Sequence, residues 1–243
     1  MNVIILAAGY ATRLYPLSKE NPKSLIDVGG KPILEHIIRK LELDSTNNIL
    51  VVTNDKFYGK FNEWLEKFKS TKPIKILNDG TRSNDDRLGA MGDVKFALEH
   101  LPDDDDFMVI AGDNLFELSI IDVVNFYKKK KSSIIVLYDV KSIELARQYG
   151  IVEINTEKLL VNFTEKPVSP KSTLASTVIY IFPKKIIPLV QKYFEQGNDL
   201  DKTGKFIEWL HKRDKVYCFV TEKKWFDIGS VEQLEKADKH YSR

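Results

Sequence analysis

Short apolar, β-branched runs recur along this 243-residue chain, and the segments between them carry apolar residues at helical spacing. Residues 3–6 (VIIL) and 48–53 (NILVVT) are too short for buried helices and too uniformly apolar for strands with one wet face. Ile33, Leu34, Ile37, Ile38 and Leu41 lie between them in a helical pattern, with Pro32 placed for the first helical position. Phe57, Phe61, Trp64, Leu65 and Phe68 repeat that pattern ahead of a third strand over residues 73–77. A helix through Val94, Phe96, Ala97 and Leu98 then precedes a strand at residues 107–110 (FMVI). Such alternation predicts a mainly parallel sheet with helices on both faces, an α/β three-layer sandwich of Rossmann-like type. Ligands of these sheets gather at the carboxyl ends of the strands, where Gly9 and Arg13 fall.

The second half changes character. Residues 133–139 (SIIVLYD) continue the strand pattern, but residues 150–154 and 159–163 alternate and pair across Asn155 and Thr156 as an antiparallel hairpin. The mixed sheet should therefore carry a small antiparallel insertion that delivers Thr164, Glu165, Lys166 and Pro167 into a loop. The proline should hold Lys166 in an extended backbone. Strands over residues 175–182 and 216–220 and helices over 186–194, 206–210 and 231–241 complete the chain. Neither an internal repeat nor a separating linker is visible. A single domain over residues 1–243 is expected, in two parts at about 1–115 and about 116–243.

Composition narrows the class of molecule. With 43% hydrophobic and 30% charged residues the chain reads as a soluble globular enzyme. A net charge of +2 gives no support for a nucleic-acid or membrane partner. The lone cysteine, Cys218, excludes an internal disulfide framework and suits a reducing compartment. No secretory leader and no apolar stretch of membrane-spanning length is legible, so a cytoplasmic location is expected.

The opening loop is the first chemical clue. The strand at residues 3–6 runs into Ala7, Ala8 and Gly9, which allow a ligand close to the backbone, and then into Thr12, Arg13 and Lys23 among turn formers. A buried strand leading to small residues and fixed cations suits phosphate. Asp113 follows FMVIAG at a strand's carboxyl end, where a carboxylate can hold a divalent cation that also touches phosphate oxygens. Asp227 stands between Phe226 and Ile228, an expensive place for an acid unless cations or hydrogen bonds satisfy it. Asp103 to Asp106 read instead as a solvated acidic loop. His36, His100, His211 and His240 lie in or beside helices without an acid or nucleophile pattern, so triad chemistry is unsupported. The sequence has no GxxxxGK[ST] and no three-glycine dinucleotide fingerprint.

Leu6-Ala-Ala-Gly-Tyr-Ala-Thr-Arg-Leu, then Pro16-Leu and Asn21-Pro-Lys-Ser-Leu, resembles the signature of sugar-1-phosphate nucleotidylyltransferases. The likeness continues through Gly29-Gly-Lys-Pro-Ile-Leu, Gly112-Asp-Asn, Tyr149-Gly-Ile-Val-Glu, Phe163-Thr-Glu-Lys-Pro and Trp225-Phe-Asp-Ile-Gly. The family's usual second glycine in the first loop is Ala11 here.

The resemblance implies that Leu6, Ala8 and Gly9 hold the nucleotide, with Gly89 near its base. It implies that Arg13 grips the triphosphate and Lys23 the charge between the two substrates. Asp113 and Asp227 would hold Mg²⁺. Lys166 would clamp the second substrate's phosphate, while Glu165, Gly150 and Thr177 would meet its hydroxyls. The implied reaction is attack of a sugar 1-phosphate oxygen on the α-phosphorus of an NTP, giving an NDP-sugar and pyrophosphate. The loop at residues 78–88 does not match the base-reading segment of a thymidylyltransferase, so dTTP, UTP and CTP all stay open as substrates. A cytidylyltransferase acting on an alcohol phosphate such as inositol phosphate or phosphocholine is the alternative. Only one helix follows Asp227, so no appended β-helix domain is expected. Homo-oligomerisation is left open.

Overall fold

The strand–helix alternation closes around β1 (Asn2–Leu6), whose Val3, Ile4 and Ile5 have no exposed surface. The computed structural model describes residues 1–101 and 105–242. After β1 come a 3₁₀ turn at Thr12–Leu14, α1 (Leu17–Glu20), a second 3₁₀ turn at Lys23–Leu25, and the two-residue pair β2 (Asp27–Val28) and β3 (Lys31–Pro32). Then follow α2 (Ile33–Leu41), β4 (Ile49–Thr53), α3 (Tyr58–Lys67), β5 (Ile74–Asn78), α4 (Ala90–Leu98), β6 (Phe107–Ala111) and β7 (Asn114–Phe116). The second half holds α5 (Ile120–Lys130), β8 (Ser133–Asp139), α6 (Ile143–Ala146), β9 (Gly150–Ile154), β10 (Leu160–Glu165) and β11 (Leu174–Phe182). It ends in α7 (Ile187–Glu195), α8 (Thr203–Leu210), β12 (Val216–Thr221), β13 (Trp225–Asp227) and α9 (Val231–Tyr241).

Among the described residues nine strands form one mixed sheet, with β6, β1, β4 and β5 parallel and β11 antiparallel beside β6. Successive side chains point to opposite faces of a strand, and the two faces carry separate cores. Val3, Ile5, Val51 and Ile110 pack on one side against α2, α3, α5 and α9. Ile4, Leu50, Val52 and Val109 pack on the other against α4, α7 and α8. The three-layer sandwich expected from the alternation is therefore present.

The sheet forks at β11. Its outer half pairs with β6 through residues 179–182, whereas near its start Ala175 pairs with Ile151 of β9. Between these stretches the register slips and Val178 takes a left-handed backbone at φ 53°. The β9–β10 hairpin thus takes up the edge that β6 leaves when it ends at Ala111. The gap between the end of β6 and the hairpin opens at the carboxyl ends of the parallel strands.

Thr177 holds this fork. It is 1% exposed, its Oγ1 donates to the Val136 carbonyl at 3.0 Å, and its own carbonyl accepts Asn114 Nδ2 at 2.7 Å. The sugar-contacting role expected for Thr177 is therefore not what its side chain does: a hydroxyl used internally on a slipped strand faces the protein.

Three smaller expectations also change. Pro32 is the residue before α2 rather than its first turn, because Lys31 and Pro32 are taken into pairing with β2. Lys166 is left-handed at φ 47° rather than extended, since β10 runs on through Glu165 and the Lys166 N–H must turn back to the Tyr149 carbonyl at 3.0 Å. Of the four-aspartate run, Asp103 and Asp104 lie outside the described residues. Asp105 pairs with the chain's amino terminus at 3.3 Å, and Asp106 accepts from the Tyr127 hydroxyl at 2.5 Å, so these two are tied down rather than solvated.

Replacing Thr177 by valine keeps the shape and deletes the hydrogen bond to Val136. It should cost about 1 kcal/mol, or roughly 2–4 °C in Tm for a chain of this size. Scanning calorimetry checks this; an unchanged Tm would show that the fork does not depend on the hydroxyl.

Candidate functional site

A cavity of about 490 Å³ occupies the gap below the fork. On one side the wall is the loop after β1: Leu6, Ala7, Ala8, Gly9 and Ala11 all line it. That loop is fixed by its neighbours, with Ala7 N–H on the Val52 carbonyl at 2.8 Å and Asn54 Nδ2 on the Ala8 carbonyl at 2.8 Å. Gly112 N–H closes the other side on the Leu6 carbonyl at 2.8 Å. Ala11 sits in the left-handed region at φ 47°, a conformation glycine would adopt more easily. Its carbonyl accepts the Ser18 hydroxyl at 2.6 Å, which helps to hold it there.

Two acids 114 positions apart meet at the centre. β13 pairs antiparallel with β7, setting Asp227 opposite Asn114, and the Ile228 N–H donates to the Asp113 carbonyl at 3.2 Å. Both carboxylates line the cavity. Burial, and then the neighbouring Asp113, push Asp227 up to about 6, although Lys23, Lys166 and Arg13 pull it down. Burial rather than a lack of cations is the larger cause of that rise. Lys23 Nζ donates to Asp113 Oδ2 at 2.6 Å, with only 14% of the lysine side chain exposed. Lys166 also lines the cavity, whereas Arg13 is exposed on the turn after the loop and reaches the site through its charge alone.

The sequence-predicted residues therefore converge. Leu6, Ala8, Gly9, Lys23, Gly89, Asp113, Gly150, Glu165, Lys166 and Asp227 all line one cavity; Arg13 stands beside it and Thr177 behind its wall. Hard oxygen donors from two carboxylates suit Mg²⁺, which is commonly held by one or two carboxylates with substrate phosphates and water. Among the described residues no group of three or more His, Cys, Asp or Glu is placed to form a fuller protein cage. The site thus fits a cation completed by phosphate oxygens.

The far end of the cavity joins the expected Glu165 and Gly150 to residues that sequence reasoning missed: Gly204, Ser176 and Tyr180. Glu165, raised by burial and lowered by Lys202, Lys166 and Lys205, lies beside Gly150 and Gly204. A Cβ at Gly150 would come within 2.5 Å of the Phe163 ring, so this backbone must be bare to pack there. Ser176 and Tyr180 share a 2.8 Å hydrogen bond and also line the wall. Nothing in the sequence marked them, because both read as ordinary residues of a buried strand.

At the end of the cavity under α4, Asp79, Arg87 and Asp93 join Gly89. Gly89 has φ +79° and lies against the Leu200 carbonyl, which a Cβ would meet at 2.5 Å. Arg87 is spanned to Asp201 by two hydrogen bonds of 2.9 and 2.8 Å, joining the loop before α4 to the segment before α8. Asp93 is raised to about 8, by burial first and by Asp79 next. His240 does find an acid, Glu117, at 2.7 Å, but neither residue lines the cavity, and no histidine does among the described residues.

Asp93 makes the stability of the protein depend on pH. Its carboxyl is protonated in the fold up to about 8 and ionises near 4 in the unfolded chain. Between those values the folded state holds the extra proton, so this contribution is complete at low pH and is lost as pH rises. Asp93→Asn removes the titration. Its Tm relative to the unmodified protein should therefore climb by about 4 °C or more between pH 5 and pH 8. A pH-independent gap in calorimetry would show that Asp93 is already ionised in the fold.

Residues 2–243 match the family model described as Nucleotidyl transferase. The chain is 33% identical over 240 residues to the bifunctional protein GlmU of Methanocaldococcus jannaschii, covering 99% of this chain and 54% of that one. It thus spans about half the length of the GlmU relatives it matches. It is 26% identical over 239 residues to the UTP–glucose-1-phosphate uridylyltransferase AglF of Haloferax volcanii, covering 98% and 95% of the two chains. The UTP-bound UGPase of Acinetobacter baumannii shares the fold, with a TM-score of 0.80 at 22% identity over 99% of this chain and 92% of that one. The strand order, the cavity below the fork and the match along nearly the whole sequence agree: this chain belongs to the nucleotidyl transferase family.

Proposed function

We propose that this chain is a Mg²⁺-dependent nucleotidylyltransferase that joins an NTP to a sugar 1-phosphate, giving an NDP-sugar and pyrophosphate. The observation that carries the reading is the meeting of Asp113 and Asp227 in a cavity also lined by Lys23 and Lys166. Family membership and the name of the AglF relative, a UTP–glucose-1-phosphate uridylyltransferase, support a sugar 1-phosphate as acceptor.

Phosphoryl chemistry of this kind depends on placing two anions in line and stabilising the charge that develops. Backbone from Leu6 to Gly9 forms the nucleotide wall. Arg13 stands on the turn beyond it, where its charge faces the triphosphate and the departing pyrophosphate. Lys23, at the centre, holds attacking and attacked phosphates together against their mutual repulsion. Lys166 fixes the acceptor phosphate, with Gly150 and Glu165 around the sugar. Asp113 and Asp227 are the residues that would hold Mg²⁺, which when bound supplies positive charge to the α-phosphate oxygens. A phosphate monoester is already anionic at neutral pH, so its attack needs no general base. The absence of histidine from the described cavity wall agrees with that requirement.

The test is pyrophosphate release from the full chain with Mg²⁺, each common NTP and a panel of sugar 1-phosphates, with inositol phosphate and phosphocholine as additional acceptors. Release with a sugar 1-phosphate is expected, and its absence with every pair would overturn the reading. Asp113→Asn and Asp227→Asn should each lower the rate by about 100-fold or more while circular dichroism stays unchanged. A variant that keeps its rate would remove that acid from the metal site.

A further inference from the structure

The acceptor half of the cavity is built on a strained strand. Six non-glycine residues among those described have a positive φ, and three of them, Ala11, Lys166 and Val178, line the cavity. Val178 is the costliest of the three, because a β-branched side chain crowds its own backbone at φ 53° more than alanine or lysine does. A glycine would take this conformation freely and leave the fork in place. Strain kept at a cavity wall is accounted for by a use of the side chain itself.

The register shows where that side chain lies. β11 begins its pairing with β6 at Ile179, opposite Ile110, so Val178 stands where the two strands part, beside Ala111 and close to the turn that carries Asp113. Ser176, Val178 and Tyr180 line the cavity while Thr177 and Ile179 do not, the alternation expected of one strand face. Val178 is half-buried and packs against the core cluster that contains Tyr180 and Phe163. At the other end of the slipped stretch Ala175 pairs with Ile151, which sets Ser176 next to Gly150. From Val178 to Ser176 the strand therefore runs about 7 Å, away from the paired acids and toward Glu165. An acceptor with its phosphate at Lys23 and Lys166 and its outer hydroxyls at Gly150 and Glu165 lies along this stretch. The carbon adjoining its phosphate-bearing carbon then comes over Val178.

We propose that Val178 determines acceptor specificity: its methyl groups form an apolar floor that admits a hydroxyl on that carbon and rejects a bulkier group such as acetamido. The polar side chains of this half, Ser176, Glu165 and the nearby Lys202, stand farther along. An acetamido group pressed on Val178 meets both a steric limit and a wall that offers its amide no partner. A hydroxyl is small enough to turn to the acceptor's own phosphate. The proposal rests on the reading of the acceptor as a sugar 1-phosphate, and it agrees with the glucose 1-phosphate in the name of the Haloferax relative.

The test compares glucose 1-phosphate with N-acetylglucosamine 1-phosphate on the full chain and on Val178→Gly and Val178→Ala. Pyrophosphate release with Mg²⁺ and each common NTP reads turnover, isothermal titration of each sugar phosphate reads binding, and calorimetry reads Tm. The unmodified protein should favour glucose 1-phosphate by about tenfold or more in kcat/KM. Val178→Gly should shrink that preference below about threefold, chiefly by improving the acetamido sugar, and Val178→Ala should shift it part of the way. The Tm of Val178→Gly should stay within about 4 °C, since released strain offsets the lost apolar contact. A preference of the unmodified protein for the acetamido sugar would overturn the proposal. So would an equal loss for both sugars in the variants, or a larger fall in Tm with selectivity unchanged, either of which would mark Val178 as a packing residue. Selective binding without pyrophosphate release from any pair would overturn the proposed reaction and leave the acceptor reading standing.

Discussion

The pairing of β13 with β7 is the contact on which the site depends. Asp227 belongs to a three-residue strand near the end of the chain, and Asp113 to the turn that leaves the central sheet. Backbone hydrogen bonds between these short strands bring two carboxylates together, and burial first, then the charge of Asp113, raises the affinity of Asp227 for a proton. The rest of the fold has to hold that arrangement. α9 packs its Leu234 and Ala237 into the same core as Ile228, and Gln233 Oε1 accepts the Gly229 N–H at 2.8 Å, fixing the chain just after the acid.

The cations answer the same constraint from different elements. Lys23 reaches Asp113 from the long loop after β1, and Lys166 comes from the turn that ends the β9–β10 hairpin. An ion pair as sheltered as Lys23–Asp113 adds little net stability, because desolvating both charges offsets much of their attraction. Its value lies in keeping charge positioned for anionic ligands. The mutual dependence is visible at Asp227, whose protonation responds to Asp113, Lys23, Lys166 and Arg13 together.

Much of this was legible in the sequence, for identifiable reasons. Apolar runs such as residues 48–53 announce doubly covered strands because no other setting buries both faces, and β4 is buried along its whole length. Gly9, Lys23, Asp113, Lys166 and Asp227 were legible because each stands in a local pattern that a plain fold does not require. Thr177 misled because its neighbours do line the cavity; a slipped register turns it inward, and register slips leave no sequence signal. Lys166 adopts the opposite backbone from the one its proline suggested, because the turn back to Tyr149 outweighs a local preference. Asp93 went unnoticed as a polar residue inside a helix pattern. Its meaning depends on Asp79, fourteen positions earlier, which only the packing of α4 over the sheet brings beside it.

The central claim is that Asp113 and Asp227 form one cation site facing the phosphates of a nucleotide. The most direct measurement is a crystal structure with Mn²⁺ and a non-hydrolysable NTP, using the anomalous scattering of manganese to locate the ion. The account predicts a single strong peak within about 2.5 Å of a carboxylate oxygen from each aspartate and of a phosphate oxygen. A peak that touches neither acid, or phosphates seated away from the Leu6–Gly9 wall, would contradict it.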